Sequence, residues 1–170
     1  MPKRLWILTE ERPKREVIGH LLNRFVEVQG LAAFFDTLRI IPVLNDSSHF
    51  SSTYQILGFS CPAVSEVVLK VVSGNSSFVD YLVYFQDDEP NPLQRPIFVA
   101  EETKTDDAES RNTGIFQRAT KFVYVDIFYP NIDSVMLYNI QINQKKSPTD
   151  TNVFGTRCLR TLGIDIAGKT

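Results

Sequence analysis

Residues 98–104 read Phe98-Val99-Ala100-Glu101-Glu102-Thr103-Lys104, an apolar run that turns abruptly into charge. The three apolar residues fit the interior of a sheet, whereas two acids, a threonine and a lysine do not. The stretch therefore predicts a buried strand, PIFVAEETK from 96 to 104, that ends in charge. Upstream, the polar loop QDDEPNPLQR (86–95) separates it from a β-branched and aromatic run, Phe78 to Phe85. The region 78–104 thus predicts a β-hairpin.

Further strands are predicted upstream over 4–9, 54–59 and 66–72, with Ser73-Gly74-Asn75-Ser76 as a turn before the hairpin. Between the first two, Val17, Leu21, Leu22, Phe25 and Val28 recur at helical spacing and predict a helix from about 13 to 28, with Pro13 in its first turn and Gly30 ending it. LAAFFDTL (31–38) reads as a short helix, and RIIPVL (39–44) as an extended segment broken by Pro42. Downstream, Asp106 or Asp107 is placed to cap a helix running to about Phe122, with Ile115, Ala119 and Phe122 on its inner face. FVYVDIFY (122–129) and VMLYNIQI (135–142) read as strands and 154–162 as a last helix, with little structure after it. This order predicts an α/β fold, a mixed central β-sheet flanked by helices, in a single domain spanning 1–170.

Composition bounds the function. The chain has 170 residues, 43% hydrophobic and 22% charged, in the range of a globular protein. Cys61 and Cys158 form no C-x-x-C pair, which predicts a reduced, cytoplasmic setting with neither disulfides nor a zinc knuckle. The start MPKRLWILTEE meets acids too soon for a signal peptide or a membrane span. A net charge of −2 argues against a general polyanion binder, but residues 86–109 hold eight acids and two bases, which leaves 16 of the 18 bases and 12 of the 20 acids elsewhere. An acidic concentration in a mildly basic body suits a metal site beside a phosphate surface; it suits a solvated acidic loop as well. Phosphate-loop, dinucleotide and nucleophile-elbow motifs are absent, and His20 and His49 lack metal-ligand spacing.

If the hairpin pairs around the centre of its loop, Tyr84 faces Phe98 and Asp80 faces Glu102. Asp80, Glu102 and Lys104 then share one face of the sheet, with Glu101 and Thr103 on the other. A slip of one residue exchanges Glu102 for Glu101. Two opposed carboxylates repel unless a cation lies between them. Mg²⁺ takes one or two carboxylates and keeps waters for a phosphate substrate, and a lysine alongside can orient the attacking water.

An acid at a strand's start, a variable loop, then apolar residues entering E-x-K resembles the PD-(D/E)xK motif of the restriction-endonuclease-like nuclease superfamily. The matching positions are Asp80 and Glu102-Thr103-Lys104, over a region of about 66–129. Val79 stands where the motif has proline, and the doubled acid makes Glu101 and Glu102 rival ligands. The resemblance implies a Mg²⁺-dependent endonuclease of double-stranded DNA, foremost a type II restriction endonuclease working as a homodimer, with catalytic Asp80, Glu102, Lys104 and Gln117. It also implies Glu16, from an early helix, as a further metal ligand, and Gln117 and Lys121, one helical turn apart, facing the metal site. Arg111, Asn112, Arg118 and Lys121 are the candidates for DNA contact. A repair, junction-resolving or mobile-element nuclease of the same fold and a non-catalytic interaction module are the alternatives.

Overall fold

The computed structural model describes residues 1–72, 79–103, 114–138 and 150–168. Among them are eight strands and three helices, divided between two units, Met1–Ile97 and Phe98–Thr170. Both units are α/β, and no helix among the described residues is long and apolar enough to cross a membrane.

In the first unit the run Leu5-Trp6-Ile7-Leu8 is buried along its whole length, as a central strand covered on both faces must be. This strand, β1 (Lys3–Thr9), pairs in parallel with β4 (Val64–Val71) and antiparallel with β5 (Tyr81–Phe85), so the sheet is mixed. β3 (Phe50–Ser60) joins β4 and β2 (Phe34–Leu44) joins β3, both antiparallel, giving the order β2-β3-β4-β1-β5. The helix α1 (Arg15–Gln29) buries Val17, Ile18, Leu21, Leu22 and Phe25, and the Phe25 ring meets Phe85 edge-on at 5.2 Å. Gly30 ends α1 as expected: its φ of 62° is left-handed, and the N–H groups of Gly30 and Leu31 satisfy the carbonyls of Glu27 and Val26. Pro13 lies just ahead of the N-cap residue Lys14 rather than in the first turn. After the 86–96 loop the chain doubles back, and the Ile97 N–H donates to the Val83 carbonyl at 2.8 Å.

Three readings of this unit are corrected. LAAFFDTL is not a helix; from Phe34 it is the start of β2, paired at Phe34↔Ser60 and Phe35↔Phe59, with the two phenylalanine rings 5.1 Å apart. An available partner strand outweighs a weak helical pattern. Nor does Pro42 break the segment: β2 runs through it opposite Tyr54, which an edge position allows. Val79 and Asp80, expected within the strand, form a bend, and β5 starts at Tyr81; Phe78 lies outside the described residues. The predicted turn at 73–76 lies outside the described residues.

The second unit is a parallel array, β6 (Phe98–Thr103), β7 (Asp133–Tyr138) and β8 (Asp165–Gly168) in that order. Helix α2 (Gly114–Phe128) connects β6 to β7 and α3 (Asp150–Thr161) connects β7 to β8, the crossovers that parallel pairing needs. Here FVYVDIFY is corrected from strand to helix. Phe122, Val125 and Tyr129 are buried at helical intervals, and burial of that stripe overrides the β-preference of the individual residues. The carboxyl-terminal GIDIAG, expected to carry little structure, supplies β8. Residues 139–142 of the predicted strand and the predicted caps Asp106 and Asp107 lie outside the described residues.

Candidate functional site

The carboxyl end of β6 holds two consecutive buried acids, Glu101 at 0% exposure and Glu102 at 3%. In register they lie beside Met136 and Leu137 of β7, so their backbone is fixed by a ladder of apolar, buried neighbours. Side chains of successive strand residues point to opposite faces. Glu101 points toward α2, where the Lys121 ammonium donates to its carboxylate at 3.0 Å. Glu102 is thereby directed to the other face of β6.

Helix α2 supplies two cations near these acids. Arg118 Nε donates to the backbone carbonyl of Glu102 at 2.6 Å and stands 4.0 Å from the Glu101 carboxylate. Arg118 and Lys121 are three residues apart, so they share a helical face, and the adjoining Phe122, Val125 and Tyr129 are buried. The cations are thus carried to β6 by the packing of an apolar stripe. That packing also excludes water from the Tyr129 hydroxyl, and desolvation raises its pKa above the usual 10.0. A buried carboxylate is tolerated only when such partners replace its water.

The remaining candidates are distributed as follows. Asp80 is half-buried at the bend preceding β5, in the first unit. Gln117 is exposed on α2. Glu16 is exposed in the first turn of α1, beside a shallow cleft lined by Arg12, Lys14, Arg15 and Ile40. Three neighbouring cations disfavour a divalent ion there, and an acid in the first turn suits the positive end of the helix dipole. Lys104, Arg111 and Asn112 lie outside the described residues. His20 is half-buried and His49 exposed. Among the described residues no three His, Cys, Asp or Glu side chains converge on one point.

No family model, curated protein or solved structure matches this chain. A hard divalent cation such as Mg²⁺ needs one or two carboxylates and retains most of its waters. Glu102, a carboxylate at the carboxyl end of a parallel strand, fits that demand, and strand carboxyl ends are where open α/β sheets place ligands. The sequence named Arg118 and Lys121 for DNA contact, with Lys121 also facing the metal site; it missed the attachment of Arg118 to β6 and the pairing of Lys121 with Glu101. The available signal was their spacing of three residues, in register with the Phe122 and Val125 stripe.

Proposed function

We propose that the chain is a Mg²⁺-dependent endonuclease of double-stranded DNA, in the first instance a type II restriction endonuclease. The observation that supports this reading is the pair of buried acids closing β6, of which Glu101 is neutralised by Lys121 while Glu102 faces away from that ion pair. Two adjacent buried carboxylates add nothing to a core that apolar residues would not add more cheaply, so their presence argues for chemistry.

On this reading Glu102 is the metal-binding acid of the doubled pair and Asp80 the second acid of the motif. Glu101, held by Lys121, is a positioning residue that fixes the end of β6. Bound there, Mg²⁺ would supply Lewis acidity toward a phosphodiester and lower the pKa of a bound water. Lys104 would hold the attacking water by hydrogen bonding, and Gln117 is its supporting partner. Arg111 and Asn112 are assigned to the DNA backbone, where cations and neutral donors set register. Arg118 stays attached to the Glu102 carbonyl and orients the strand that carries the site.

The test is cleavage of plasmid DNA in Mg²⁺. Wild-type protein should cut, while Asp80→Ala, Glu102→Ala and Lys104→Ala should bind DNA and cut at least ~100-fold more slowly. Cleavage by Lys104→Ala at the wild-type rate would overturn the assignment. Discrete fragments from linear duplex mark restriction; activity confined to branched or single-stranded DNA marks a repair or junction-resolving role. A second reading, a non-catalytic interaction module, is favoured by the same Lys121–Glu101 contact taken simply as a clamp between α2 and β6. It expects no cleavage of any DNA.

A further inference from the structure

Helix α2 is apolar on both sides. One side packs through Phe122, Val125 and Tyr129; the other presents Tyr124, Ile127 and Phe128 with 60%, 67% and 65% of their surface exposed. Phe116 and Val123 extend this outer stripe along the same helix, and the stripe carries no lysine or arginine. Across α3 it continues into Phe154, whose ring lies 6.4 Å from that of Phe116, and into Leu162 just beyond the helix. A helix with apolar residues on two sides presents more apolar surface than its own unit covers.

We infer that this face of α2 and α3 is the surface on which a second copy of the chain docks, by a two-fold axis that sets α2 against α2. Two features single out a second copy. The first is area: side chains of this size, each roughly half to two-thirds uncovered, leave on the order of 800 Å² of apolar surface, which matches the share one partner contributes to a standard stable interface. Isolated domains rarely expose a continuous apolar patch larger than a few hundred Å².

The second is self-complementarity. Beside the exposed side chains of Val123, Ile127 and Leu162 lies an open cavity of about 270 Å³, which they wall together with Phe122, Ile132 and Ile164. Projecting apolar side chains and a hollow therefore adjoin on this surface, the condition for an isologous contact in which each copy gives an apolar side chain and receives one. The charged group at the cavity, Asp126, is turned to its own chain, its carboxylate accepting the Asn131 N–H at 3.2 Å.

A homodimer is also what the nuclease resemblance implies, but the docking surface is argued from α2 and α3 alone and has its own test. Sedimentation equilibrium of the whole chain should give a dimer at micromolar concentration. Tyr124→Glu, at an exposed position that no core packing requires, should shift the dissociation constant at least 100-fold with an unchanged far-ultraviolet circular dichroism spectrum. Ile127→Asp should do the same, and Phe50→Glu, exposed on β3 in the other unit, should not. A wild-type chain that is monomeric at 100 micromolar, or a dimer that survives both α2 substitutions, overturns the proposal. So does a monomer that instead floats with phosphatidylcholine vesicles.

Discussion

At Glu101 a carboxylate has left water completely, and the Lys121 ammonium, itself partly exposed, lies nearer to it than Arg118 does. Replacing Lys121 by Met should therefore cost about 2 kcal/mol, because the buried charge loses that hydrogen-bonded cation. Glu101→Gln in the same chain should recover most of that loss, and a double-mutant cycle in urea measures the coupling. Tyr129 gives a prediction in pH. Its folded-state pKa is raised above the usual 10.0, so between the two values the unfolded chain binds fewer protons than the folded one. Stability is then complete below pH 10.0 and falls as pH rises toward the folded value; Tyr129→Phe should flatten this alkaline limb of the melting curve. At this scale the sequence showed which residues carry charge at the end of β6, since two acids after an apolar run are conspicuous. It could not show which cation each acid meets, because that depends on how α2 is rotated, and rotation is set by Phe122, Val125 and Tyr129 together.

At the scale of elements, β2 and β3 are joined at a kink that only glycine permits. Gly58 has a φ of 91°, and a Cβ built there would stand 2.3 Å from the Thr37 carbonyl oxygen, between the paired positions Phe35 and Arg39 where the register of β2 shifts. Gly58→Ala should cost about 3 kcal/mol and loosen β2 from β3, visible as faster hydrogen exchange in both strands. At Gly30 nothing approaches within 4 Å, so only the left-handed backbone is strained, and Gly30→Ala should cost about 1 kcal/mol. Elements with one dominant pattern were legible: α1 from its five-residue apolar stripe, β1 and β4 from continuous apolar runs. Phe122 to Tyr129 was not, because valine, tyrosine, phenylalanine and isoleucine favour strands individually while their buried subset follows a helical period. Only the tertiary partner reveals which residues of such a run are inside.

At the scale of the whole molecule, the nuclease reading and its non-catalytic rival differ in their response to ions. A site that binds the native state stabilises it: Ca²⁺ at ~100 times its dissociation constant adds about 2.7 kcal/mol, or roughly 5–10 °C in the melting midpoint of a chain this size. Glu102→Ala should abolish that rise while leaving the apo midpoint within a few degrees; a midpoint indifferent to Ca²⁺ and Mn²⁺ in the wild type favours the module. The two-unit division was not legible, since Pro90, Pro92 and Pro96 ahead of Ile97/Phe98 read as the loop of a hairpin. The boundary falls within a continuous apolar segment. Strand β2 brings its own liability to this assembly: it pairs with β3 alone in its unit, and beyond it Ile41, Val43 and Leu44 are exposed. Such a margin invites templating by foreign chains. Pro42, lacking an amide hydrogen, interrupts the growth front in its middle, so Pro42→Val should keep the melting temperature yet shorten the lag before thioflavin-positive fibrils, making one imino acid the chain's guard against polymerisation.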